Sequence, residues 1–252
     1  MSRIIFITGA TSGFGKASAF KFAENGYDLI INGRRKDRLQ SLADEIEKKY
    51  NVAVLQLPFD VRVEKDVFES ISNIPENWKA IDVLLNNAGL ALGRDFFEDG
   101  HLGDWNTMID TNVKGFLYVA KAVSQIMAER KQGHIINLGS VAGKQVYEKG
   151  NVYCATKYAV DALSQGMRID LLRHNIKVTS INPGAADTEF SIVRFKGDDA
   201  TARSIYNGLQ PLTPQDVADT IYYCTTLPAH VCINDLTITC IRQADGIYFN
   251  RQ

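Results

Sequence analysis

The chain has 252 residues, with 28 Lys and Arg against 29 Asp and Glu and a formal net charge of −1. That length suits one doubly wound α/β domain around a continuous core. The balanced charge argues against a nucleic-acid surface or a polybasic membrane patch, and the longest apolar runs are about strand length, far below the ~20 residues a membrane helix needs.

The chain opens Met-Ser-Arg-Ile-Ile-Phe-Ile-Thr-Gly and enters a strand at once, without a signal-type apolar region or an amphipathic transit pattern. The expected compartment is therefore the cytoplasm. Ile4–Thr8 reads as the first strand, and it runs into Gly9, Ala10, Thr11, Ser12, Gly13, Phe14 and Gly15. Glycines spaced G-x-x-x-G-x-G between a strand and a helix let the backbone turn sharply and let a pyrophosphate reach the helix N-terminus. The helix follows over Gly15–Asn25, closed by Gly26.

Leu29–Asn32 is the second strand, and Arg35–Tyr50 the next helix. Folds that bind NAD place a carboxylate at the end of this strand for the ribose 2′-hydroxyl. Here the turn reads Asn32-Gly33-Arg34-Arg35-Lys36, with no acid from Leu29 to Lys36. Arg34 and Arg35 suit a 2′-phosphate, which guanidinium groups bind through forked, charge-assisted bonds. The expected cofactor is NADP.

Val52–Leu57 and Ile81–Asn86 are two further strands, with a helix at about Glu64–Ile74 between them. Asp104–Lys131 reads as one long helix, His134–Ser140 as a strand, Val152–His174 as a second long helix and Lys177–Asn182 as a strand. Thr213–Thr226 is a late helix and Asp235–Ile241 a last strand. Continuous apolar strands alternating with helices predict a parallel sheet covered on both faces, a single Rossmann-type domain with right-handed crossovers. The least regular stretch, 184–210, stands where a lid over a site would.

Cys154, Cys224, Cys232 and Cys240 form no C-x-x-C pair and no Cys/His cluster, so they read as packing residues and no metal is expected. Tyr153 and Lys157 lie four apart on a helix and share a face. An ammonium beside a tyrosine favours the phenolate and draws its titration toward working pH. Ser140 ends a strand, Asn86-Asn87-Ala88-Gly89 ends another, Asn112 sits mid-helix against its propensity, and Pro183-Gly184 follows a further strand.

Together these residues resemble the short-chain dehydrogenase/reductase superfamily over essentially the whole chain. The resemblance implies a pyrophosphate site at 8–15, and Asp60 and Val61 along the adenine. It also implies Asn87, Ala88 and Gly89 beside the adenosine ribose, and Pro183, Gly184, Ala185, Ala186 and Thr188 around the nicotinamide. Asn112, Ser140, Tyr153 and Lys157 become the catalytic tetrad. Tyr153 and Lys157 then also touch the cofactor, Ser140 orients the reacting oxygen, and Asn112 holds a proton-relaying water.

Three stretches resemble, more closely, the NADP-dependent 3-hydroxy acid dehydrogenases, also described as serine or allo-threonine dehydrogenases. They are NNAGLALG at 86–93 with MIDTN at 108–112, TEFSIVRFKGDD at 188–199, and LPAHVCIN at 227–234 after LTPQDVAD. Ala185-Ala186 departs from the bulkier apolar pair expected there. This likeness implies a small hydroxy acid substrate and a homotetramer, to which the apolar tail residues Ile247, Tyr248 and Phe249 would contribute. The substrate carboxylate needs a cation: Arg194 is favoured, with Lys144 and Lys196 as alternatives. The bland reading of Arg194 is a solvated charge paired with Asp198 or Asp199. Two rivals stand beside the hydroxy acid enzyme, a reductase of uncharged or carrier-bound ketones and a non-catalytic NADP-binding sensor.

Overall fold

A computed structural model describes residues 2–251 of the chain. Its seven strands are β1 (Ile4–Ile7), β2 (Asp28–Asn32), β3 (Val54–Leu57), β4 (Ile81–Asn86), β5 (Gly133–Leu138), β6 (Ile176–Pro183) and β7 (Asp235–Ile238). They form one sheet in the order β3-β2-β1-β4-β5-β6-β7, with every neighbouring pair parallel. The helices are α1 (Gly13–Glu24), α2 (Lys36–Lys49), α3 (Glu64–Ser72), α4 (Leu102–Ile109), α5 (Phe116–Arg130) and α6 (Asn151–Asp170). After β6 come two short helices, α7 (Glu189–Arg194) and α8 (Asp199–Ser204), and then α9 (Pro214–Thr225).

The two-residue period of a strand explains why the strands are apolar throughout. Ile5, Ile7, Leu29 and Ile31 face α1, α2 and α9, where Phe22, Leu42 and Ile221 complete one core. Phe6, Ile30 and Leu84 point the other way, onto Val67 of α3 and Val119, Val123 and Met127 of α5. Strand order reverses between β1 and β4, so the loops after their carboxyl ends part and leave a crevice.

The helix expected over 104–131 is broken. α4 stops at Ile109, residues Asp110–Gly115 make a π-helical turn, and α5 begins at Phe116. Close packing against Val61 accounts for the glycine in the turn. A Cβ on Gly115 would lie 2.8 Å from Val61 Cγ2 and 3.0 Å from its carbonyl oxygen. The wide turn holds Asn112 and Thr111 buried where the helix passes the crevice. The second long helix also ends early, at Asp170, and continues only as a short 3₁₀ turn at Leu172–His174.

The irregular stretch is anchored rather than loose. Thr188 caps α7 through Phe190 N, and Asp198 caps α8 through Thr201 N. The Tyr206 hydroxyl donates to Ala186 O at 2.6 Å, tying the second short helix back to the end of β6. α9 starts as its sequence suggests, with Pro214 in its first turn and a Thr213–Asp216 capping box.

Candidate active site

The crevice opens into a cavity of about 900 Å³. Gly9, Thr11, Ser12, Gly13 and Phe14 line one wall. Gly9 and Gly13 have φ of +63° and +51°, the left-handed region that favours glycine. A Cβ at Gly15 would stand 2.4 Å from Gly9 O, so the third glycine is what lets α1 seat on the loop. Gly15 and Ala10 are buried behind that wall and do not reach the cavity.

Hydrogen bonds from the residues after β4 hold the loop in place. Thr8 Oγ1 accepts from Asn87 N and Ala88 N, both at 2.9 Å. Asn87 Nδ2 donates to Thr8 O at 2.8 Å. The start of α1 has neither a side-chain cap nor an acid in its first turn, so its free N–H groups and positive dipole end face the cavity wall uncompensated. That is the donor set an incoming pyrophosphate requires.

The far end of the cavity holds Gly33, Arg34, Arg35, Asp60 and Val61. Asn32 is spent on structure, donating from Nδ2 to Leu57 O at 2.9 Å and Phe59 O at 3.0 Å. Arg35 Nη2 donates to Thr11 Oγ1 at 3.0 Å, while Arg34 lies 3.8 Å from Asp60. Burial would raise the Asp60 carboxyl, but its bonds from Arg62 and the nearby Arg34 outweigh that and hold it below the ordinary carboxylate value. Two partly exposed guanidinium groups thus border the cavity at this end.

At the other end Ser140, Tyr153 and Lys157 converge, one from the end of β5 and two from α6. Ser140 Oγ accepts from Ala142 N at 3.1 Å, which fixes its rotamer. Burial pushes the Tyr153 phenol well above its ordinary value, and the nearby Tyr147 adds to this. The Ser140 hydroxyl and the Arg194 guanidinium pull it back down. Tyr153 is a neutral acid in this form. Burial pushes Lys157 down to about 8.

The sequence reading had Lys157 drawing Tyr153 toward phenolate. In the structure its Nζ sits 6.0 Å from the tyrosine ring centroid and donates to Leu138 O at 2.9 Å. Asn112 also differs from expectation. It does not border the cavity, and its amide clasps Leu90: Nδ2 donates to Leu90 O at 2.7 Å and to Thr156 Oγ1 at 3.1 Å, and Oδ1 accepts from Leu90 N at 2.9 Å. Both amide protons are spent, so what the side chain visibly does is shape the loop after β4.

Pro183, Gly184, Ala185, Ala186 and Thr188 border the same end of the cavity. Gly184 is required by Gln243, whose Oε1 would lie 2.2 Å from a Cβ there and instead accepts from Ala185 N at 2.7 Å. Arg194 borders the cavity too, and its carbon Cζ stands 5.5 Å from the Tyr153 ring centroid and 5.6 Å from that of Tyr147. Nη1 donates to the Tyr147 hydroxyl at 3.0 Å, whereas Nη2 is buried without a partner.

The paired-charge reading of Arg194 is overturned, since Asp198 caps α8 and Asp199 binds Arg203 at 2.7 Å. The alternatives are engaged as well. Lys144 is held by Asp161 at 2.6 Å and Asp235 at 2.7 Å, Lys196 by Asp104 at 2.8 Å, and neither borders the cavity.

Sequence reasoning missed Tyr147 and Phe190, which flank Tyr153, the latter with ring centroids 5.6 Å apart. It also left the tail, expected to serve contacts between copies, away from the site. Ile247, Phe249 and Arg251 border the cavity, and Arg251 is fixed by Ile205 O and Asn207 O at 3.0 and 2.7 Å. Phe190 had a signal in the TEF stretch of the lid, while the return of the tail had none.

Comparisons with known proteins agree with this geometry. The family profile described as short chain dehydrogenase matches residues 3–198. The chain is 47% identical over 242 residues to the NADP-dependent 3-hydroxy acid dehydrogenase YdfG of Salmonella typhi, covering 96% of both chains. It is 46% identical over 245 residues to sulfoacetaldehyde reductase 2 of Chromohalobacter salexigens, covering 97% of this chain and 96% of that one. Among solved structures, a serine dehydrogenase in its closed form complexed with NADP⁺ superposes with a TM-score of 0.91 at 45% identity. That match covers 99% of this chain and 100% of the other.

Proposed function

The chain belongs to the short-chain dehydrogenase family and is an NADP-dependent oxidoreductase acting on a CH–OH group, and from that premise we propose that its substrates are small 3-hydroxy acids and the matching carbonyl acids. Candidates are L-serine, L-allo-threonine, 3-hydroxyisobutyrate and the 3-hydroxypropionate/malonic semialdehyde pair. The observation that carries the acid reading is Arg194, a half-buried guanidinium that borders the cavity against the Tyr153 ring. A substrate of few atoms has little other binding energy with which to aim its carbinol, so a charge anchor near the reacting carbon is what the chemistry requires.

Bound NADP supplies the hydride acceptor in oxidation and the donor in reduction. The glycine loop and the open end of α1 hold its pyrophosphate, Arg34 and Arg35 its 2′-phosphate, and Asp60, Val61 and Asn87–Gly89 the adenosine end. The 183–188 segment covers the opposite end. Tyr153 gives its phenol proton to the substrate oxygen in reduction and recovers it in oxidation. The Ser140 hydroxyl donates a hydrogen bond to that same oxygen. Lys157, lowered to about 8 by burial, supports the phenolate when it forms.

The anchor is tested with Arg194→Met, assayed on a 3-hydroxy acid and on an uncharged alcohol. A lost charge-assisted contact costs roughly 1.5–3 kcal/mol, so kcat/KM on the acid should fall roughly 10- to 100-fold while the alcohol changes little. Equal losses on both would sink the anchor. A wild-type enzyme that turns over uncharged ketones better than any acid would favour the carbonyl reductase reading, and no absorbance change at 340 nm with any substrate would favour the sensor.

We also propose a homotetramer. Supporting it are large apolar side chains left in water on α6 and after β7, Ile169 at 75% and Ile241 at 99% exposure. Light scattering at micromolar concentration should give about four times the 28.0 kDa chain mass. A 28.0 kDa particle would refute it.

A further inference from the structure

We infer that Glu189, on the lid, sets how strongly the protein prefers NADP over NAD by occupying the guanidinium that would read the 2′-phosphate. The turn after β2 carries no acid of its own. The fold restores one from far along the chain: Glu189, the first residue of α7, lies 3.6 Å from Arg35 Nη1. Its carboxylate also accepts from Arg38 Nη1, at 3.1 Å to Oε1 and 3.3 Å to Oε2. Glu189, Arg34 and Arg35 all border the cavity, whereas Arg38 stands behind them.

The consequences differ for the two cofactors. A carboxylate at this end of the cavity suits a ribose 2′-hydroxyl, which can donate to it. It opposes a 2′-phosphate, which brings up to two negative charges to the same arginines. Binding NADP must therefore move Glu189 off Arg35. Arg38, outside the cavity, remains as its partner, so the exchange keeps α7 moored while Arg35 turns to the phosphate. Glu189 is half-exposed and its contacts are surface pairs, so the exchange is a modest tax on NADP rather than a block.

This inference rests on the reading of Arg34 and Arg35 as the 2′-phosphate site. Binding, not turnover, tests it: titration calorimetry of wild type and Glu189→Gln with NADP⁺, NAD⁺, 2′,5′-ADP and 5′-AMP. The variant should bind NADP⁺ and 2′,5′-ADP about three- to tenfold tighter. NAD⁺ and 5′-AMP should be unchanged or weaker. Unchanged or weakened NADP⁺ binding in the variant would overturn the inference, the second result meaning that Glu189 and Arg38 clasp the bound cofactor instead. A wild-type protein that binds 2′,5′-ADP no better than 5′-AMP would overturn the underlying site, and is read from a separate pair of titrations.

Discussion

Replacing Tyr153 with Phe should lower turnover about 10²–10⁴-fold, the usual contribution of a positioned general acid–base, and leave NADP affinity nearly unchanged. The change removes one oxygen from a side chain that is otherwise held by packing. The ring lies against Phe190, with Ala91, Met108 and Cys154 in the same buried cluster, and each of these contacts is available to Phe. The phenol is buried, and its proton is held well above the ordinary value. In reduction that proton serves the cavity end where Ser140 also stands, and the neighbouring Tyr147 hydroxyl is engaged by Arg194 Nη1. Lys157 donates to a backbone carbonyl. Steady-state rates and cofactor fluorescence titration on the same preparation separate the two effects. A Tyr153→Phe enzyme at near-wild-type rate would remove Tyr153 from the chemistry, and a variant that lost NADP binding would show the oxygen to be structural.

The sheet was legible because its strands are apolar on both faces, which only a covered parallel sheet requires. Ile4–Ile7, Ile81–Asn86 and Ile176–Pro183 fall within a few residues of their expected limits. The glycine loop was legible for a related reason: two of its glycines need positive φ and a third needs contact with the first, so spacing alone specifies the turn. What could not be read depended on partners far along the chain. The π-helical turn at 110–115 carries Gly115 where it packs against Val61, and helix periodicity carries no trace of that encounter. Lys144 and Arg194 are both cations near the expected site. Only the fold shows one held by two carboxylates and the other wedged between two tyrosine rings. Asn112 was found by its poor helix propensity, yet the group it serves, the Leu90 backbone, was invisible until β4 and α4 were side by side.

Changing Arg34 and Arg35 together to Ala should raise the KM for NADP by roughly 10²-fold or more, since two charge-assisted contacts at roughly 1.5–3 kcal/mol each are lost. NAD should be almost untouched. The two arginines are unequal in the free protein. Arg35 is oriented by Thr11 and faces Glu189, while Arg34 has only a 3.8 Å approach to Asp60 and a side chain 59% exposed. Removing Arg35 alone should account for most of the effect once Glu189 has released it, because Thr11 keeps its guanidinium on the cavity wall whereas Arg34 has no comparable hydrogen bond to orient it. The backbone of the turn is independent of both side chains. Asn32 holds it to Leu57 O and Phe59 O, so the double change should leave the sheet intact, and the glycine loop loses only the Arg35–Thr11 contact while keeping its bonds to Asn87 and Ala88. Initial-rate measurements with each cofactor at saturating substrate decide the point. A parallel rise in KM for NADP and NAD would mean that the pair shapes the adenosine end as a whole, and the assignment of the 2′-phosphate to these two residues would fall.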